Sequence, residues 1–199
     1  EAVANVISKA GEDKILTAML MNFAYEKIDN NGSWDIGYDL LKIGKLLFDE
    51  NNAVHLKKLA AKKLEDFESL RKNLKLKFTK LEKEIIAKAE ETLAYITTTG
   101  LEMNDFPRGT LPNHFIKIKK GEFSPNYLYK NQLEINLVNG KIVKANVVQP
   151  QPEVPKNLLR FYLEIKEKIY ERSLLVNIYK NFVPLTLLST IDRELKKIQ

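Results

Sequence analysis

The sequence predicts a mainly α-helical fold, an antiparallel bundle of long helices that carries a small β-hairpin or irregular insertion. Apolar residues recur every three or four positions over 64–98, and a second stripe of the same kind covers 156–182. Between the two stripes, alternating apolar residues over 133–147 surround an Asn-Gly dipeptide, the preferred pair for a tight hairpin turn. These observations predict two long helices packed side by side, joined by an elaborate connection.

Four shorter helices are predicted before the first long one. Gly11 and the turn sequence DNNG separate the first three, and Ser33 is predicted to cap the third. Trp34 follows this cap, close to Ile36 and Leu40, and is predicted to anchor the core. The predicted ranges are 2–10, 13–28, 34–48 and 54–62.

The two long helices define the predicted architecture. The mean apolar spacing over 64–98 is near 3.6 residues, which is typical of a straight helix rather than a coiled-coil seam. Gly100 lies where a C-terminal cap is expected. Pro184 is predicted to end or kink the second helix, and 185–198 to continue as a last helix.

The connection, residues 101–155, holds the predicted insertion. A short helix is expected from Asn113 to Lys120 with Gly121 closing it, although the alternation of Ile116 and Ile118 with lysines leaves a strand open. The hairpin is predicted over 133–147, followed by an extended proline-rich linker.

The positive charge is concentrated in this connection. The chain has a net charge of +6, and residues 106–147 alone contain seven basic and two acidic residues. Such a concentration suits a polyanion, of which nucleic acid is the commonest. A solvated, solubilising surface is the alternative interpretation.

Composition argues against most catalytic classes. There is no cysteine, and the two histidines, His55 and His114, are far apart in sequence. His114 has no serine nucleophile nearby, and Gly44-Lys45 lacks the rest of a phosphate-binding loop. We therefore expect no catalytic residue and no metal site. No leader or membrane-spanning segment is visible, so a cytoplasmic location is expected.

The chain starts at Glu1 in a helical pattern and ends in one, so we expect a piece excised from a larger protein. The whole chain, 1–199, is predicted to be a single helical accessory domain, with 101–155 as its basic tip.

Several segments, in order along the chain, resemble RecB/AddA-like members of the UvrD/Rep superfamily I helicases of Bacteroidetes type. They are residues 1–51, from EAVANVISKAGEDK to GKLLFDEN, then LEDFESLRKNL, TGLEMNDFPRGTLPNHFIKIKKGEF and IYKNFVPLTLLSTIDRELKKIQ. The resemblance covers most of the chain and is weakest over 124–154. It is carried by general sequence patterning and a few short local segments, and not by catalytic motifs.

The resemblance implies that this chain is the helical accessory subdomain called 1B, inserted in the first motor domain of an ATP-dependent DNA helicase. The ATP-binding loop would precede Glu1, and the acidic box that binds magnesium would follow Gln199. The family translocates 3′ to 5′ on single-stranded DNA, and related members act as helicase-nucleases (exodeoxyribonuclease V) in double-strand-break repair and recombination. The implied partners are duplex DNA, single-stranded DNA, the remaining motor domains and a second helicase-nuclease subunit.

The expected DNA contacts are lysines and arginines that bind backbone phosphates without reading sequence. They are Arg108, Lys117, Lys119 and Lys120, with Lys141 and Lys144 on the predicted hairpin as a second set. The competing hypothesis is a helical protein–protein interaction or scaffold module that does not bind nucleic acid.

Overall fold

The computed structural model describes residues 1–29, 32–124 and 132–198. Helices make up 79% of the structure and the described residues contain no strand, which confirms the mainly α-helical class. The α-helices are α1 (Ala2–Ser8), α2 (Lys14–Asp29), α3 (Gly37–Lys45), α4 (Ala53–Ala60), α5 (Leu64–Thr98), α6 (Thr110–Lys119), α7 (Gln132–Val138) and α8 (Glu153–Ile198).

The chain divides into two compact units. The terminal unit comprises Glu1–Lys75 and Asn177–Gln199, and the central unit comprises Leu76–Val176. Helices α5 and α8 each contribute residues to both units.

The terminal unit is built around apolar faces of α1, α2, α3 and the last part of α8. In α2, Leu16, Leu20 and Phe23 follow the helical repeat and are buried together. A smaller cluster adds Met19, with Phe67 and Phe182 edge-on at 5.8 Å between ring centroids. The N-terminal helix is joined to the end of α8 by the ion pair of Lys9 with the buried Glu194, at 2.6 Å.

Two details of the terminal unit differ from the sequence predictions. Ser33 does not cap α3, which begins at Gly37; its hydroxyl accepts a hydrogen bond from the Asp35 N–H instead. Trp34 is 77% exposed, so its prediction as a core anchor is wrong. The local turn formed by Ser33 and Asp35 starts the helix later than expected and leaves the indole outside the core.

Helix α8 continues through Pro184, so the prediction of a separate last helix is wrong. A proline inside a helix costs about 3 kcal/mol or more because it removes one hydrogen bond and crowds the preceding turn. Here Phe182, Val183 and Leu187 around it are all buried in the terminal unit. Their burial offsets that cost and keeps the segment helical.

In the central unit, α5 and α8 run antiparallel. Their contacts pair rising residue numbers on α5 with falling numbers on α8: Glu82 with Arg172, Glu84 with Lys168, Lys88 with Glu164, and Tyr95 with Asn157. Between the helices lies a core of α5 and α8 residues, completed by α6, α7 and the loops beside them. It contains Ile85, Ala89, Ile96, Phe106, Leu111, Phe115, Ile118, Leu137, Ile142, Val143, Leu158, Tyr162, Ile165 and Ile169.

The predicted β-hairpin over 133–147 is wrong. Residues Gln132–Val138 form helix α7, and Gly140, at φ 68°, ends it. The Lys141 N–H bonds to the Asn136 carbonyl at 2.8 Å and the Gly140 N–H to the Leu137 carbonyl at 3.1 Å, which is the Schellman cap. Asn-Gly supplies the positive φ that both a hairpin turn and this cap require, so the dipeptide did not distinguish them.

Candidate nucleic-acid interface

The six predicted contact residues lie in three places of the central unit. Arg108 lies in the turn before α6, Lys117, Lys119 and Lys120 lie at the end of α6, and the remaining two follow α7. All six side chains are exposed.

Arg108 occupies a constrained turn. It is the one non-glycine residue with positive φ among the described residues, at φ 54°, and Gly109 follows at φ 61°. A Cβ atom on Gly109 would lie 3.1 Å from both Asn113 Nδ2 and Met103 Sδ, so this position is also crowded. The turn fixes where the Arg108 side chain leaves the backbone and presents it to solvent.

Helix α6 separates an apolar face from a basic end. Leu111, His114, Phe115 and Ile118 are buried, whereas the three lysines at its C-terminal end are exposed. The expected closing role of Gly121 is confirmed: its φ is 86°, and the Glu122 N–H bonds to the Lys117 carbonyl at 3.0 Å. The segment is a helix, which settles the alternative of a strand.

Lys141 and Lys144 lie in the loop after α7, not on a hairpin. Between them, Ile142 and Val143 are buried in the core, which fixes the loop against the unit. The Lys144 N–H donates to the Asp105 carbonyl at 2.8 Å, so the loop is attached to the turn that precedes Arg108. The structure thus brings Lys144 next to the segment that carries Arg108, although the two are far apart in sequence.

Four of the six cations have no ion pair within 4 Å among the described residues: Arg108, Lys120, Lys141 and Lys144. Lys119 pairs with Glu90 at 3.2 Å, but both side chains are about half exposed, so this bond competes with water. Along α6, ten residues separate the Arg108 end from the Lys120 end by about 15 Å. The cations therefore form an extended set and not a single anion pocket.

His114 lies beneath this surface. Its ring is 1% exposed and packs 5.1 Å from the ring of Phe115 and 5.3 Å from that of Tyr162. Burial, with a smaller contribution from the positive charge of Lys117, lowers the pKa of His114 from 6.5 to about 4. The imidazole is neutral at pH 7 and belongs to the core.

Two further cations of the central unit were not predicted as contact residues from the sequence. Lys156 and Arg160 line an open groove of about 350 Å³ on α8, together with Leu159, Leu163, Glu164 and Glu167. A sequence pattern could have indicated them, because two basic residues four positions apart lie on one face of a helix. The acidic residues that follow on the same helix balance this positive charge in the sequence.

No group of three or more His, Asp or Glu side chains able to hold a metal ion occurs in the described part of the chain. Helix α8 is long and apolar enough to cross a membrane by length and composition, with an 18-residue window of mean hydropathy 1.3. Of that window, 44% is buried inside the protein, and core helices pass the same test.

Comparisons with known proteins found no matching family model, no similar curated protein and no similar solved structure.

Proposed function

We propose that this chain is a DNA-binding accessory subdomain of the 1B type. Its parent protein is a RecB/AddA-like ATP-dependent 3′–5′ DNA helicase or helicase-nuclease of the UvrD/Rep superfamily. This parent protein acts in double-strand-break repair and recombination in the cytoplasm. The central unit holds duplex DNA through its backbone phosphates while the motor draws on one strand. The observation that carries the proposal is the set of four exposed cations without an ion pair among the described residues: Arg108, Lys120, Lys141 and Lys144.

The acidic residues of the central unit support this interpretation because most of them are already paired. Glu82, Glu84 and Glu164 bind basic residues across the α5–α8 pair, and Glu134 of α7 binds Lys166 at 2.6 Å. These pairs neutralise charge along the helices. The positive charge near α6 and the loop after α7 therefore remains available to an external polyanion.

The extended arrangement fits a phosphate track better than a small anion. Duplex DNA has one negative charge for about every 1.7 Å of its axis, so cations about 15 Å apart meet several phosphates. Flexible lysine side chains on a surface position the duplex and carry no sequence information. Sequence-independent binding is what a translocating motor requires.

The terminal unit is compatible with insertion into a larger domain. Lys9 in the turn after α1 and Glu194 near the end of α8 form an ion pair, so the first and last helices lie together. An inserted domain needs its two connections close to each other. In the proposal, ATP and magnesium bind to the motor domains of the parent protein, and no residue of this chain binds them.

The test is salt-dependent binding of the 199-residue chain to a fluorescent duplex, measured by anisotropy. Four phosphate contacts give a log–log salt slope of about −3.6, which is roughly a hundredfold loss of affinity between 50 and 200 mM salt. The variant Arg108→Asn/Lys120→Gln/Lys141→Gln/Lys144→Gln should lose most of that slope. Asparagine is chosen at 108 because it tolerates positive φ.

The matched control removes four exposed lysines of the terminal unit: Lys57, Lys58, Lys75 and Lys180, each to Gln. It changes the net charge by the same amount and should keep the slope. An equal loss in both variants would show that net charge alone drives binding. The absence of salt-sensitive binding by the unmodified chain would refute the proposal.

The second candidate, a protein–protein interaction or scaffold module, is favoured by a different observation. Several large apolar side chains of the terminal unit are exposed, among them Tyr25, Trp34, Tyr38 and Phe48. The four-cation variant separates the two functions. If it loses DNA binding but still assembles with a protein partner, the protein interaction does not depend on these cations.

A further inference from the structure

Helix α2 is apolar on two opposite faces, although only one of them is covered. Leu16, Met19, Leu20 and Phe23 are buried in the terminal unit. A helix that is apolar all round is normally buried all round. The second face of α2 therefore indicates a surface that another molecule covers.

The second face, here called the α2 stripe, consists of Ala18, Met21, Tyr25 and Ile28. These residues recur at spacings of three and four, so they lie on one side of the helix, opposite the buried face. Ala18 is exposed, and Met21, Tyr25 and Ile28 are 50%, 57% and 47% exposed. Three adjacent large apolar side chains at such exposure form a patch and not a scattered surface.

The charges at the two ends of the stripe are opposite. Lys14 continues the stripe at the N-terminal end, and Asp29 lies at its C-terminal end; both are exposed. Neither forms an ion pair within 4 Å with any residue in 1–29, 32–124 or 132–198. Lys27, by contrast, pairs with Asp39 of α3 at 2.8 Å and faces away from the stripe.

We propose that the α2 stripe binds the same stripe of a second copy of this chain, with the two helices antiparallel. A two-fold axis passing near Met21 places Lys14 of each copy against Asp29 of the other. It also places Ala18 against Tyr25, a small residue against a large one, and Met21 against Met21. Each contact then occurs twice, as a two-fold interface requires.

A parallel arrangement is disfavoured by the same residues. It would place Lys14 against Lys14, Asp29 against Asp29 and Tyr25 against Tyr25, so like charges and the largest side chains would face each other. The four apolar residues are fewer than the 20–30 residues a side of a standard interface, so the dimer is weak and depends on concentration. This association is independent of the proposed DNA binding, which involves the central unit.

The test is sedimentation equilibrium of the 199-residue chain over a wide range of concentration. The apparent mass should rise from the 22.9 kDa of one chain towards twice that value as concentration increases. Met21→Lys should abolish the rise, because it places two lysines at the axis. Met21 is half exposed, so an unchanged circular dichroism spectrum and thermal transition should accompany the loss.

Charge exchange tests the antiparallel register. Lys14→Glu and Asp29→Lys should each weaken the dimer several-fold, and the double variant should restore it, because the opposite charges then face each other again. A parallel dimer would not be restored, since like charges would still meet. A chain that stays monomeric at all concentrations, or a dimer indifferent to both Met21→Lys and the charge exchange, would overturn the proposal.

Discussion

The burial of His114 predicts that the protein loses stability in mildly acidic solution. The pKa of His114 is lowered to about 4 in the folded state, against 6.5 for an ordinary histidine. Between these two values the unfolded chain binds a proton that the folded chain excludes, so stability rises with pH through this window. The contribution is fully present above about pH 6.5 and is lost as pH falls towards 4.

The magnitude follows from the difference in pKa. Lowering the pH from 7 to 5 costs about 2 kcal/mol, because the unfolded histidine becomes protonated and the folded one stays neutral. A loss of this size is a large part of the stability of a small domain. Two carboxyl groups add to the same trend, because hydrogen bonds from Lys168 lower the pKa of Glu84 and those from Lys197 and Lys9 lower the pKa of Glu194. Variants of His114 are therefore needed to separate the share of the histidine.

The assay is urea unfolding followed by far-ultraviolet circular dichroism at pH 7 and pH 5. The unmodified chain should lose about 2 kcal/mol between the two conditions. His114→Leu and His114→Gln cannot titrate, so both should lose much less, whatever their stability at pH 7. The control His55→Gln replaces an exposed histidine and should keep the dependence. Equal losses in the unmodified chain and in both His114 variants would refute the reasoning.

Two further predictions concern the central unit. Arg172 donates from Nε and Nη2 to Glu82 Oε1 at 2.8 and 2.6 Å and lies over the Phe123 ring. Arg172→Ala should therefore lower the free energy of unfolding, measured by urea unfolding, by about 2 kcal/mol. The control Lys156→Ala removes an exposed ion pair and should cost less than about 0.5 kcal/mol. Equal effects would contradict this difference in burial. Gly140→Ala should cost about 1–2 kcal/mol because of its positive φ, with no clash, and Gly140→Asn should cost less. If Gly140→Ala cost no more stability than Gly140→Asn, the positive φ at this helix cap would not be the cause.

How much of the fold could be predicted depends on how often a signal repeats. The bounds of α5, Leu64–Thr98, were predicted correctly because its apolar spacing repeats over many turns and Gly100 follows with a positive φ of 76°. The hairpin was mispredicted because its apolar alternation involved only three residues and its Asn-Gly dipeptide suits a helix cap equally well. Leu133 and Leu137 are also four apart, as a helix requires, and Ile135 between them is 53% exposed.

The candidate interface was predictable in its charge but not in its geometry. An excess of lysines over acids predicts exposed cations, and all six predicted side chains are exposed. The bond from the Lys144 N–H to the Asp105 carbonyl, which brings two distant segments together, leaves no local pattern. It depends on the burial of Ile142 and Val143, and therefore on the whole core. Whether these cations bind DNA stays a prediction.

The charges on α5 and α8 account for the register of the helix pair. In the observed register Lys88 meets Glu164 and Glu84 meets Lys168. A slip of one turn in one direction would place Lys88 against Lys168; a slip in the other would place Glu84 against Glu164 and Lys88 against Arg160. Only the observed register brings opposite charges together at both positions. Like-charge repulsion therefore favours the observed alignment of the two helices over a one-turn slip in either direction.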